Sequence, residues 1–461
     1  MNARSQVDSV TGKKPLVVAF LSDWQYLERS FQRLICAWGR WIADWEDKVA
    51  ISRHVWEQAE AVQRLRDRSC EFLGSHQNVD APVSAELERF VNLVLLAPSA
   101  EDAFNGTYQL LLDAMVRAYV NYVEHAHPVH DAPTIALVQD LVRIKEQQRL
   151  WLRERRRRRP HVTDSSYAAQ FRVTLAGLGE LSNPVPVRDE ALPAGVRTGF
   201  RLLSKARHPA GSEPRCDWTP FMYGDFAYDL EARRLFWCYG YMREMNLAED
   251  QLRWIYDAWQ MPWEFIRDLS RHLWDESRHG DSGRSRLLDF GIDLPDVGYS
   301  YYDQSMPPNF EGPDSNGERC EPLSPEQLYE QVFSIGMVAE TGHFTVKKEA
   351  YDDFKAAGDL ESAEMVLFDI IDETSHVQYA HKWLPLLAER CGRAPQEFRA
   401  RGAIERDRIA EDAAKRQAEA HALPRDPSSA GFKHYQSLLA RMRNHQPLKV
   451  DPNLTRSPLP M

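Results

Sequence analysis

The chain has 461 residues, 43% hydrophobic and 27% charged, a composition of ordinary soluble globular proteins that excludes collagen-like and wholly disordered classes. Its length argues for two to three domains. A net charge of −11 speaks against bulk nucleic-acid binding, and six scattered cysteines with no C-x-x-C pair argue against a zinc ribbon and for a reducing compartment.

In chain order, the first apolar run, 16–21, is too short for a secretory signal or a membrane span, and no stretch reaches 18 apolar residues. The expectation is a soluble cytoplasmic protein with no membrane partner. Apolar residues then recur at three- and four-residue spacing, which predicts long helices over 25–73, 84–96 and 107–152. An arginine run, 155–159, ends at Pro160. It reads as a solvated helix end, or else as a binding patch for an acidic partner. Residues 160–220 are rich in Pro, Gly and Ser and read as a poorly regular insert. Helical pattern resumes near Asp225 and runs to about Ser277. After a Gly/Pro/Tyr/Asp-rich stretch, 280–323, a helix starts at Ser324-Pro325-Glu326, with a capping serine and proline at the first helical position. It extends to about Gly358; another runs from Leu360 to Cys391-Gly392, a charged helix covers 395–421, and a loosely held Pro-rich tail follows Pro424.

Residues 45–56 (WEDKVAISRHVW) echo 263–274 (WEFIRDLSRHLW) at an offset of 218, and Ile144-Lys145-Glu146 echoes Ile371-Asp372-Glu373. Two echoes in one order predict two related helical domains. The expected organisation is a degenerate copy without metal ligands over 20–152, a linker over 153–220, a di-metal domain over 221–395, and a charged helix with tail over 396–461.

The chemistry concentrates in two Asp-Glu-x-x-His blocks, Asp275-Glu276-Ser277-Arg278-His279 and Asp372-Glu373-Thr374-Ser375-His376. In a helix, positions i and i+3 share a face, so each Glu and His can bind one ion together. With 34 Glu and 15 His in the chain, roughly one Glu-x-x-His is expected by chance, and far fewer with Asp in front. Glu244 precedes Glu276 by 32 residues, and Glu340 precedes Glu373 by 33. That gap lets the chain run up one helix and return on a neighbour to the same level, about 24 Å each way. Four helices would then aim four Glu and two His at one point.

With these motifs, residues 225–392 resemble the ferritin-like di-iron carboxylate superfamily. The resemblance implies an all-α protein whose di-metal domain is a ferritin-like four-helix bundle, with the N-terminal half a second, degenerate copy. It implies two Fe, with Mn as the alternative, and divides the ligands as Glu244, Glu276 and His279 mainly for one ion and Glu340, Glu373 and His376 for the other, with some carboxylates bridging. Asp275 and Asp372 would orient the histidines. Extra ligands or outer partners would come from His272, His343 and Asp369. The p-aminobenzoate N-oxygenase group of this superfamily carries one more histidine ligand, in its second motif helix; here that position holds Asp369, and a histidine, His272, lies in the first block instead. His272 also has a counterpart, His54, in the N-terminal copy, which favours a structural role. In that copy Gln58 and Ala61 stand at the Glu276 and His279 positions, and Glu146 and Arg149 are aligned with Glu373 and His376.

Weaker signals are Glu124-His125-Ala126-His127 with His130, which lacks an Asp-Glu mate, and Trp237, Tyr239 and Tyr241, which can line a pocket or relay electrons near Glu244. Residues 299–302 (YSYY) can lid a pocket. The chain has no G-x-G-x-x-G, P-loop or Ser-His-Asp signature. The functional expectation is an O2-activating non-haem di-iron oxygenase or oxidase acting on a small organic substrate, with amine N-oxygenation as its most specific form. Such an enzyme would draw on an external electron donor, and a homodimer is compatible with it. The rivals are a ferroxidase or metal-handling protein and a non-enzymatic helical scaffold.

Overall fold

The computed structural model describes residues 16–76, 79, 84–160, 164–185, 200–258, 260–299 and 320–445. Among these the chain is helical, without a strand. The N-terminal half contains α1 (Leu16–Gly39), α2 (Trp45–Leu73), α3 (Ala85–Leu95), α4, α5 (Ala132–Arg158) and α6 (Ser165–Gly177). Helix α4 starts as Ala100–Asn105, passes through a π-helical stretch, Gly106–Leu111, and continues as Leu112–His125. The C-terminal half contains α7 (Thr219–Asp225), α8 (Leu230–Asp257), α9 (Trp263–Asp289), the short α10 (Leu294–Val297), α11, α12 (Leu360–Arg390), α13 (Glu397–His421) and α14 (Ala430–Asn444). Helix α11 has the same composite build as α4: Pro325–Val332, a π-helical stretch Phe333–Glu340, then Thr341–Ala356. No helix of the described residues is long and apolar enough to cross a membrane.

Local chemistry explains most of the boundaries. Asp44, Ser84, Ser99, Asp229, Asp359 and Ser429 each accept a backbone N–H of the first turn of the helix they precede. Ser324 and Gln327 close a reciprocal capping box ahead of α11, with Pro325 in its first turn. Gly74 ends α2 with φ 67°, a left-handed conformation that favours glycine.

Helices α1, α2, α4 and α5 follow the same order as α8, α9, α11 and α12. The two halves meet through α2 on α9 and α1 on α8. At that seam Trp56 stacks on its repeat equivalent Trp274, ring centroids 6.5 Å apart and planes 15° apart. One apolar core contains residues of both halves, among them Phe31, Val55, Tyr108, Ile255, Leu273 and Phe333. A second lies around α8, α12 and α14.

Two expectations change, and a third changes in part. The segment read as a linker contains α6, whose Phe171 and Leu175 are buried in the first core, and Leu202 and Leu203 are buried further on. The tail after Pro424 contains α14, which buries Tyr435, Leu438, Leu439 and Met442. The arginine run is divided: Arg157, Arg158 and Arg159 are exposed, as at a solvated helix end, whereas Arg155 is not. Arg155 is buried against Asp47 and Glu101, Arg156 donates to Gln109, and Arg158 and Arg159 reach Asp44. All six cysteines are free thiols.

Candidate metal centre

Helices α8, α9, α11 and α12 converge on one buried group of acids and imidazoles. Three sets of side chains have ligand atoms within 4.8 Å of one another: His272, Glu276, Glu340 and His376; Glu244, Glu276 and His279; and Glu244, Asp369 and Glu373. In the first set, His272 Nε2 is 3.0 Å from both Glu276 Oε1 and Glu340 Oε1. His376 Nδ1 is 3.2 Å from Glu340 Oε1 and 3.4 Å from Glu276 Oε1. The rings of His272 and His376 stack with centroids 3.7 Å apart. In the second set, His279 Nδ1 faces Glu244 Oε2 at 3.1 Å, Asp369 Oδ1 at 3.4 Å and Glu276 Oε2 at 3.8 Å. Glu276 therefore turns one oxygen to each set.

Helical periodicity does this work. His272, Glu276 and His279 occupy one face of α9, and Asp369, Glu373 and His376 one face of α12. Glu340 closes the π-helical stretch of α11, a type of distortion common at functional sites. Of the neighbouring acids on α8, Glu249 pairs with Lys48 and Glu231 with Arg234, which leaves Glu244 for the centre.

The outer partners cross over. Asp275 Oδ2 lies 3.3 Å from His376 Nε2, and Asp372 Oδ2 lies 3.2 Å from His279 Nε2, so each block's aspartate addresses the other block's histidine. Such a contact fixes the ring and leaves its inner nitrogen free for an ion. Arg278 bridges Asp275 and Asp372, and Arg271 donates to Asp275 at 2.9 Å. Arg271 also lies over the Trp56 and Trp274 rings, which ties this layer to the seam between the halves.

Electrostatics mark the centre as short of positive charge. Burial by itself lowers the His272 imidazole, yet Glu340 and Glu276 overcome it and push it up to about 10. His279 is raised well above the ordinary range: burial opposes the rise, and Asp369 and Asp372 outweigh it. Burial raises Glu244 to about 7 against its hydrogen bond with His279. Glu373 rises through burial and the adjacent Asp369. Glu340 Oε2 and Glu373 Oε2 are buried without a hydrogen-bond partner, and Glu244 Oε2, His279 Nδ1 and Asp369 Oδ1 are buried facing only the cluster itself. Orphaned polar atoms converging on one point are expected of a site built for a cation.

The six expected ligands are thus brought together, with a different division. Glu373 groups with Glu244 and Asp369, and its place beside Glu340 and His376 is taken by His272. His272 therefore stands among the candidate ligands. His343 is exposed and belongs to none of the three sets. His125, His127 and His130 also belong to none. Tyr241 donates to Asp369 Oδ2 at 2.9 Å and stands beside Trp237, ring centroids 5.6 Å apart. Tyr299 is buried against Trp45, while 300–302 lie outside the described residues.

Two spaces adjoin the centre. A cavity of about 350 Å³ between α9 and α12 is lined by Tyr241, Arg278, His279, Ser282, Phe368 and Asp369, among others. On the opposite side, an apolar pocket of about 20 Å³ lies against His272 and His376, walled by Trp254, Phe265, Ile335 and Trp383.

In the N-terminal half the helices come in the same order, and none of its residues belongs to the three sets. Lys145 and Gln148 are buried there, whereas Glu146 and Arg149 pair with each other nearer the surface. The register of the second echo is therefore one residue off: Lys145 stands at the Glu373 position and Gln148 at the His376 position. Gln148 Nε2 donates to Glu57 at 2.9 Å, as His376 addresses Asp275. The Lys145 ammonium bonds Glu28 and Gln58, and Tyr119 donates to Glu28 at 2.6 Å. His54 bonds the Tyr108 hydroxyl at 2.9 Å. The Lys145 ammonium and neutral amides pair the polar groups of this region, and none of its residues belongs to the three sets.

Neither protein-family models, nor curated proteins, nor solved structures give a significant match to this chain. What the fold and the site define is an all-helical protein with buried carboxylate and imidazole groups able to hold metal.

Proposed function

We propose that the protein is an O2-activating, non-haem dinuclear iron oxygenase or oxidase acting on a small organic substrate, with α8, α9, α11 and α12 as a ferritin-like bundle. One observation carries the reading. Glu244, Glu276, Glu340, Asp369 and Glu373 bring five carboxylates, and Lys347 brings one ammonium buried against two of them. Asp275 and Asp372 are offset by Arg271 and Arg278. With the carboxyls ionised and the three imidazoles neutral, as metal ligands must be, four negative charges remain, which two divalent ions would neutralise. Hard carboxylates with imidazole suit iron or manganese.

His272, Glu340 and His376 would hold one ion, Glu244, His279, Asp369 and Glu373 the other, with Glu276 shared. Bound iron would supply the electron transfer to O2 that no side chain of this chain provides. The protein's own part is to hold the imidazoles through Asp275 and Asp372, to orient Asp369 through the Tyr241 hydroxyl, and to keep the centre buried from bulk water. The 350 Å³ cavity, which reaches His279 and Asp369, would admit a small molecule. Amine N-oxygenation is the most specific reaction within this class.

The test is metal content together with O2 uptake. About two irons per chain, and O2 consumption by the reduced protein that speeds up with an amine or another small organic substrate, are expected. Fe(II) oxidation indifferent to every organic compound would move the protein to the metal-handling class. Failure to bind any metal after anaerobic Fe(II) loading would sink the proposal.

A further inference from the structure

Lys347 follows Glu340 by two turns on α11 and is buried. Its Nζ lies 2.6 Å from Asp369 Oδ2 and 2.5 Å from Glu373 Oε1, the two α12 carboxylates that form a set with Glu244. The other oxygen of Asp369 faces His279, and the other oxygen of Glu373 has no hydrogen-bond partner. The four-ligand set is different. Among the described residues, no lysine or arginine pairs with Glu276 or Glu340, and both of its histidines already face these two carboxylates. The ammonium thus sits wholly on one side of the centre.

From this asymmetry we infer that Lys347 makes the two ion positions unequal: a divalent ion fills the His272–Glu276–Glu340–His376 position first, and a second must displace a tethered ammonium from Asp369 and Glu373. The inference rests on the two-ion reading above. A fixed positive charge a few ångströms from the second position repels a divalent ion directly and competes for its ligand oxygens. The first position has no lysine or arginine among its four ligands, its histidines give up any proton as the ion binds, and it feels the ammonium from further away.

The experiment is anaerobic titration of the full-length, chelator-stripped protein with Co(II), followed by visible absorption and calorimetry. For the wild type we expect two resolved steps, the second weaker by at least about tenfold. In Lys347→Met, which keeps the chain length and removes the charge, the second step should tighten by about tenfold or more, with the first little changed. Lys347→Arg keeps the charge and should keep two unequal steps. If Lys347→Met fails to fold, Lys347→Gln takes its place with the same expectation. Two equal steps in the wild type, or a second step in the neutral variant no tighter than in the wild type, would overturn the inference and leave the dinuclear reading intact. A wild-type protein that binds no Co(II) would remove both.

Discussion

His54 and His272 occupy equivalent positions of the repeat and are pushed in opposite directions. Burial drives His54 down to about 3, with Arg53 and Lys145 adding to the effect, while carboxylates hold His272 at about 10. Below pH 6.5 the unfolded chain protonates a histidine that the folded chain keeps neutral. His54 therefore contributes stability that is complete above about pH 6.5 and is lost as the pH falls toward about 3. The melting temperature should drop across that window, and less steeply in His54→Gln; equal slopes would remove His54 as the cause. Asp275 gives a second residue-scale prediction. Asp275→Asn weakens the acceptor for His376 and leaves Arg271 and Arg278 with one carboxylate fewer. Metal affinity should fall about 10–100-fold by chelator competition, with helix content unchanged. At this scale Glu244 was legible from its distance to Glu276. His272 was singled out but its role was not legible, because the sequence around it matches that around His54, and only the neighbours from α11 and α12 separate them. Lys347 gave no signal either, since nothing in a lone lysine on an amphipathic helix announces that it points inward.

Helices α8 and α9, which supply Glu244, Glu276 and His279, approach closely because glycines allow it. A Cβ on Gly283 would stand 2.3 Å from the Met242 backbone nitrogen, and one on Gly280 would stand 3.0 Å from that of Met245. Gly283→Ala should push the pair apart and destabilise by about 1–3 kcal/mol. Gly240→Ala, also on α8, meets nothing within 4 Å and should be neutral or stabilising by up to about 1 kcal/mol. Denaturant midpoints of the two variants give the comparison, and similar losses in both would refute the packing account. The element boundaries set by local chemistry were legible, the Ser324-Pro325 start of α11 above all. Its π-helical stretch was not: that bonding pattern goes with packing in which Gly336 sits against Ala380, a contact with no trace in α11's own sequence. Helix α6 was missed for a related reason. Its surroundings read as loop, and Phe171 and Leu175 gain their burial only against the rest of the N-terminal half.

At the scale of the molecule the two halves meet through α2 on α9 and α1 on α8, one half bearing the candidate centre and the other holding the buried Lys145. Lys145→Met would leave Glu28 buried without its cation. A loss of about 3–5 kcal/mol is expected, with metal content unchanged. Calorimetry and metal analysis on one preparation test this, and loss of metal from a folded variant would contradict it. By itself the sequence determined the helical class, the repeat, and the candidate ligands Glu244, Glu276, His279, Glu340, Glu373 and His376, because spacing along a helix fixes which side chains share a face. Tertiary structure decided which of them meet. It grouped His272 with Glu340 and His376, crossed Asp275 and Asp372 onto the opposite histidines, set the true register of the second echo and placed Lys347 between Asp369 and Glu373. Those are contacts between helices, set by how deep and at what rotation each helix packs, and a periodicity read along one helix carries no information about its neighbour's rotation.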